Sequence, residues 1–184
     1  EKNSETLKLM RQAIPELKNT NNNYYKIGFA SFYIRTFIAN KQVDKAVQYA
    51  SQYFETYRKE IFEHRWHLYF TTYIFALING EKYDKVVSVC KRYKLLPKEK
   101  QRIDLPDYLP IIENYFYLAE YMEGMINKDK FISSVIKSIK PLMKNSYRSR
   151  RMLDMIDELG VFLHEEMNLV KAEILNPKNL LDSN

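Results

Sequence analysis

Residues 33–53 and 73–93 say nearly the same thing forty positions apart. Tyr33, Ile34, Ile38, Asp44, Lys45, Val47 and Tyr53 align with Tyr73, Ile74, Ile78, Asp84, Lys85, Val87 and Tyr93. A chain that echoes itself at a fixed spacing builds one supersecondary unit at a time. Each unit buries its apolar face on its neighbour, so the echo restricts the architecture more than any other pattern present. Within each copy apolar residues recur three and four apart, the spacing of one helix face, and a polar break falls at Asn40-Lys41 and at Asn79-Gly80. The unit is a helical hairpin. At the second break, Gly80 is expected to supply the backbone freedom with which a helix stops.

The remainder of the chain extends this reading. Residues 4–14 form a short helix with Leu7, Met10 and Ile14 on one stripe, ending near Pro15, and the polar run 18–23 starts the next helix. Helices over 24–39 and 43–61 make the first hairpin, and helices over 64–78 and 82–93 make the second. Residues 94–106, bounded by Pro97 and Pro106, read as a linker. A third hairpin over 108–125 and 129–143 is shifted by 45 positions instead of 40. A single further helix over 147–166 carries Met152, Met155, Ile156, Leu159, Phe162 and Leu163 on one face and Asp154, Asp157, Glu158 and Glu165 on the other. Leu169–Leu175 add a turn or two. No strand alternation survives, and 4 Gly and 6 Pro leave few break points, so the fold class is all-α. The organisation expected is an N-terminal cap or end of a preceding unit (1–23), three hairpins (24–61, 64–94, 106–143), capping helices (144–176) and a flexible tail (177–184).

In the second helices, Val43, Ala46, Ala50 and Tyr53 are followed by Tyr83, Val86, Cys90 and Tyr93, then by Lys128, Phe131, Val135 and Ser138. In the first helices, Ala30, Tyr33, Ile34 and Phe37 are followed by Phe70, Tyr73, Ile74 and Leu77, then by Tyr115, Leu118, Ala119 and Met122. This pattern resembles the tetratricopeptide (TPR) repeat over roughly residues 24–143. Ile34 and Ile74 stand where that motif prefers a small residue, Lys128 where an aromatic is usual, and the period exceeds its ~34 residues. The resemblance implies antiparallel hairpins stacked as a short TPR-like right-handed solenoid, with a concave groove that takes an extended peptide or a partner helix. Its register puts Ser31, Arg35, Thr71, Phe75, Glu113, Phe116 and Glu120 in that groove. The Lys and Asn clamp of TPR proteins that grip a peptide carboxylate is not matched.

Chemistry-bearing patterns are sparse. At 46% hydrophobic and 28% charged, the composition is that of a folded globular chain and excludes disorder. One cysteine, Cys90, excludes an internal disulfide and a Cys-based metal site, and its helix position makes it a core residue. Glu60, His64 and His67 sit at i, i+4 and i+7, the inventory of a metal site, but beside Trp66 at a helix junction they read as capping or packing groups. His164-Glu165-Glu166-Met167-Asn168 lacks the second His of a zinc protease motif, and no phosphate loop or nucleophile elbow exists. Asp154, Asp157 and Glu158 read as the wet face of a helix. No catalysis, cofactor or metal is expected. No apolar run is long enough to span a membrane. Glu1 opens the sequence with no Met and no apolar leader after it, which suggests a piece of a longer protein without a signal peptide, and the localisation stays open with a cytoplasmic setting favoured.

The net charge of +6 is unevenly spread. Residues 128–151 hold eight Lys/Arg against one Asp, and residues 152–173 hold six Asp/Glu against one Lys. Lys137, Lys140, Lys144, Arg148, Arg150 and Arg151 form a basic run, the first three on one helix face. Such a run can hold nucleic-acid phosphates, but no recognition helix or stacking motif accompanies it. The function expected is therefore a non-enzymatic protein- or peptide-binding module, a scaffold or adaptor. The alternatives are a nucleic-acid-associated protein using the basic run, and the sensor or regulatory half of a multidomain regulator.

Overall fold

The structure is a computed structural model that describes residues 2–60, 66–94, 108–144 and 146–176. Among these residues the chain is all-helical, with no strand. It divides into two compact units, residues 1–104 and 105–184.

The first unit holds α1 (Lys2–Asn19), α2 (Asn23–Ala39), α3 (Val43–Thr56), the single turn α4 (Arg58–Glu60), α5 (Trp66–Asn79) and α6 (Tyr83–Lys94). Helix α2 packs on α1, α3 and α5, α3 also packs on α5, and α5 on α6. The sequence makes this close packing feasible. On α3 the buried residues Ala46, Ala50 and Phe54 recur every four positions, and two of the three are too small to hold neighbouring helices apart. Tyr69 of α5 comes near enough to donate a 2.7 Å hydrogen bond to the Ala50 carbonyl. Phe54 stacks on Tyr73 with ring centroids 4.5 Å apart. Cys90 is buried in α6, as its helix position suggested.

Three details differ from the sequence reading. Helix α1 continues through Pro15 to Asn19. Proline removes one intrahelical hydrogen bond, but Leu7 is buried and Met10 accepts a hydrogen bond from Thr36 on α2, so α1 is held on α2 ahead of Pro15. Helix α3 stops at Thr56 instead of running to residue 61, with the Tyr57 N–H bonded back to the Tyr53 carbonyl. At the α5–α6 turn the left-handed residue is Glu81 (φ 55°), not Gly80. The α2–α3 turn is built the same way forty residues earlier, with Lys41 at φ 58°. In both, the next N–H reaches five residues back, Gln42 to the Phe37 carbonyl and Lys82 to the Leu77 carbonyl, each at 2.9 Å. This is a Schellman cap. Gly80 is needed for a different reason: a Cβ there would lie 2.5 Å from Cγ2 of Val47 on α3.

The second unit holds α7 (Tyr108–Met122), α8 (Lys128–Ile139), a 3-10 turn (Lys140–Leu142), α9 (Ser146–Gly160) and α10 (His164–Ile174). Helix α7 packs on α8 and α9, and α10 packs on α8 and α9. The α7 end repeats the Schellman geometry with a glycine in the left-handed place, Gly124 at φ 69°, and Met125 N–H reaching the Glu120 carbonyl at 2.8 Å. Asn127 then caps α8 by accepting the Lys130 N–H at 2.9 Å. The buried Asn114 side chain donates to the Pro110 carbonyl at 2.7 Å and exchanges a hydrogen bond with Ser138 of α8, which satisfies a polar group in the core.

The helix expected over 147–166 is broken. Residues 161–163 form a turn, and α10 folds back on α9. Phe162 and Leu163 therefore leave the stripe they were assigned to, and Val161 is 81% exposed. The buried stripe of α10 is Met167, Val170 and Ile174, which the expectation of a loose turn over 169–175 passed over. Gly160, a poor helix former, ends α9, and a second apolar stripe beyond the break is then buried on α8 and α9.

The linker assigned to 94–106, the tail assigned to 177–184 and the group Glu60, His64 and His67 lie, apart from the backbone of a few of these residues, outside what the structure describes. Among the described residues no group of His, Cys, Asp and Glu is placed to hold a metal, and no helix is long and apolar enough to cross a membrane.

Candidate functional site

The seven residues assigned to a groove fall on both units, four on α2 and α5 and three on α7. Two of the first four are not available to a partner. Ser31 and Thr71 are each 3% exposed, and the Ser31 hydroxyl donates back to the Ile27 carbonyl at 3.1 Å. The physical reason is the broad α2–α5 contact. Ile34 and Ile74, bulky where a small residue was expected, are fully buried, and α5 is covered on nearly all sides from Tyr69 to Ile78.

Arg35 and Phe75 do come together. The Arg35 guanidinium carbon lies 5.0 Å from the Phe75 ring centroid, a cation–π pair joining the two helices. Arg35 is exposed and Phe75 half-buried. One turn before Arg35, Phe32 is 63% exposed, and two turns before Phe32, Tyr25 is 62% exposed. These four side chains form an aromatic strip with a cation at one end. Helix α2 is the reason: it has large apolar residues around its whole circumference and no acidic residue. A helix apolar all round is ordinarily buried all round, and α5 meets that rule while α2 does not. Sequence reasoning misses Tyr25 and Phe32 because the family register alone assigns the groove positions; the apolar periphery of α2 was the available signal.

On α7, Phe116 is buried at 5% exposure, which removes it from a binding surface, while Glu113 and Glu120 are half-buried. Burial raises the Tyr117 phenol pKa, and the Glu113 and Glu120 charges on either side raise it further. This face of α7 is acidic where that of α2 and α5 is cationic.

The basic run does not lie along one helix. Lys137 is in α8, Lys140 begins the 3-10 turn, Lys144 follows it, and Arg148, Arg150 and Arg151 are in α9. The α-helix ends at Ile139, between the first two, and Pro141 lies in the 3-10 turn that follows, so the shared face expected for Lys137, Lys140 and Lys144 is not formed by a continuous helix. Lys144, Arg148 and Arg151 are each engaged with other groups of the protein. Three carboxylates over 154–166 are likewise engaged. Asp157 pairs with Lys171 at 2.9 Å, Glu158 accepts from the Tyr115 hydroxyl at 2.6 Å, and Glu166 pairs with Lys128 at 3.3 Å. These contacts tie α7, α8 and α9 to one another and to α10.

No protein-family model, curated protein or solved structure matches this chain.

Proposed function

We propose that the chain is a binding module without catalytic activity of its own, and that its partner is a protein segment docking on the α2–α5 face. The observation that carries this reading is the exposed strip of Tyr25 and Phe32 ending in Arg35 stacked on Phe75. Exposed aromatics beside an arginine have the composition of interface hot spots, large contact areas with one directional charge. The charge of the first unit says what the segment should carry. Residues 1–104 contain 19 Lys/Arg and 11 Asp/Glu, a balance of +8, against 10 and 12 in residues 105–184. The segment should therefore present aromatic or aliphatic anchors next to Asp or Glu, with the acid at Arg35.

Selection from a displayed library of random peptides tests this. Enrichment of acidic–aromatic sequences is expected, with capture reduced at least tenfold by Arg35→Glu and by Phe32→Asp. Both positions are exposed, so both variants should fold. Tyr147→Ser, at an exposed aromatic of the second unit, should leave capture unchanged. Enriched peptides indifferent to Arg35→Glu and Phe32→Asp, or no enrichment at all, would exclude this face.

A further inference from the structure

Helix α1 packs chiefly on α2, and the side of α3 turned toward it stays uncovered, so a cleft of about 480 Å³ opens among the three helices. On α2 it is lined by Lys26 and Phe29, on the flank adjoining the strip: Phe29 lies one turn from both Tyr25 and Phe32, while Lys26 points away from Arg35. Helix α3 contributes Tyr49, Tyr53 and Thr56 on successive turns, and Leu17 of α1 forms part of the facing wall. The Tyr49 and Tyr53 rings stack at 5.6 Å and Tyr33 meets Tyr49 edge-on at 5.1 Å, so the aromatic wall is braced from behind.

The polar groups of the cleft are the hydroxyls of Tyr49, Tyr53, Thr56 and Tyr57, the Gln52 amide and the Lys26 ammonium. Burial, and then the neighbouring phenols Tyr33 and Tyr57, push the Tyr49 hydroxyl up to about 12, and burial pushes Tyr53 higher still. Both phenols therefore stay protonated and neutral at physiological pH, with Tyr53 hydrogen-bonded to Tyr57. Lys26 brings a positive charge, and no carboxylate lines the cleft. Among the described residues Lys26 joins none of the ion pairs. A half-buried cation among apolar walls and neutral polar groups, with no carboxylate lining the cleft, is complemented by an anion. The volume falls in the ~300–1,000 Å³ range of small-molecule sites.

We propose that this cleft binds an organic anion with a flat apolar body, its carboxylate or equivalent acid group held by Lys26 and its rings against Phe29 and Tyr53. The proposal does not rest on the peptide-binding reading: it uses Lys26, Phe29 and the tyrosines of α3, none of which is among the residues assigned to the peptide strip.

Calorimetric titration of the whole chain with 2-naphthoate, and with its neutral isostere 2-naphthamide, tests it. Saturable one-to-one binding of naphthoate is expected, at least tenfold tighter than that of the amide. Lys26→Met keeps the aliphatic stem and removes the charge; it should weaken naphthoate at least tenfold and change the amide less than twofold. Thr56→Trp, at an exposed position on the rim, should fill the cleft and abolish both. Equal affinity for acid and amide in the unaltered protein overturns the proposal without recourse to any variant. So does the absence of saturable binding, or naphthoate binding that survives Thr56→Trp.

Discussion

Replacing Gly80 by alanine should destabilise the first unit, and the size of the effect comes from one contact. The added Cβ would lie 2.5 Å from Cγ2 of Val47, whereas ordinary carbon contacts fall at 3.4–4 Å, so one side must retreat by about an ångström. Valine is stiff about χ1, and a rotation of ~30° off its rotamer costs about 0.5–1.5 kcal/mol. Overpacking of this kind typically costs about 1–3 kcal/mol. Gly80 is not among the positive-φ residues, so alanine returns ~0.4–1 kcal/mol by restricting the unfolded chain. The net expectation is a loss of about 1–2 kcal/mol. For a unit of this size each kcal/mol shifts Tm by roughly 4–8 °C, readily seen in a circular-dichroism melt. Val47→Ala removes the obstructing methyl. In the double-mutant cycle, Gly80→Ala on the Val47→Ala background should be neutral or slightly stabilising, leaving a coupling of about 1–2 kcal/mol. If Gly80→Ala costs the same in both backgrounds, the close approach of α3 to the α5–α6 turn is not what requires glycine. A neutral single variant would refute the argument outright.

Two further outcomes are expected. Glu81→Gly should stabilise by about 0.5–1 kcal/mol by relieving a left-handed backbone that non-glycine residues adopt at a cost, and Gly124→Ala should cost ~1 kcal/mol in the second unit; denaturant midpoints for each would check both signs. The Lys128–Glu166 pair should give stability a pH dependence at both ends. Burial alone would raise the Glu166 carboxyl, but its own backbone N–H, Lys128 and Tyr121 together hold it below the ordinary carboxyl value of 4.5. Its contribution is present above pH 4.5 and is lost as pH falls through the depressed value. Lys128 is raised above 10.5, first by its hydrogen bond to Glu166, so its contribution is complete below that pH and is lost as pH rises through the raised value. Melts of Glu166→Gln should show a shallower acid limb than the parent below pH 4.5; identical acid limbs would show that the pair does not couple α8 to α10.

How legible the chain was depends on whether a feature is local. The helical state of α2, α3, α5 and α6, and the identity of Ala46, Ala50, Val86 and Cys90 as core, come from 3.6-residue periodicity, because one stripe of a helix must be buried whatever it packs against. The forty-residue echo likewise anticipated two turns that share three backbone hydrogen bonds at the same offsets, with an extra Asn40 N–H to Phe37 carbonyl bond in the first. The candidate face was legible only in part. Arg35 and Phe75, assigned through the register, lie against each other. Ser31, Thr71 and Phe116 were misassigned and Tyr25 and Phe32 overlooked, because exposure of a helix flank depends on which other helices cover it.

By itself, then, the order of residues determined that the described chain is helical, where most of its hairpins turn, and which stripe of most helices is apolar. Those are consequences of backbone hydrogen bonding and side-chain spacing within a few residues. Tertiary structure alone decided the rest. It covered α5 on nearly every side and left α2 half bare, folded α10 back beyond Gly160, left a cleft between α1 and α3, and gave Gly80 its purpose. Each of these turns on a contact between residues distant in sequence, such as Val47 beside Gly80 or Arg35 over Phe75, and short-range spacing carries no information about which distant surface arrives.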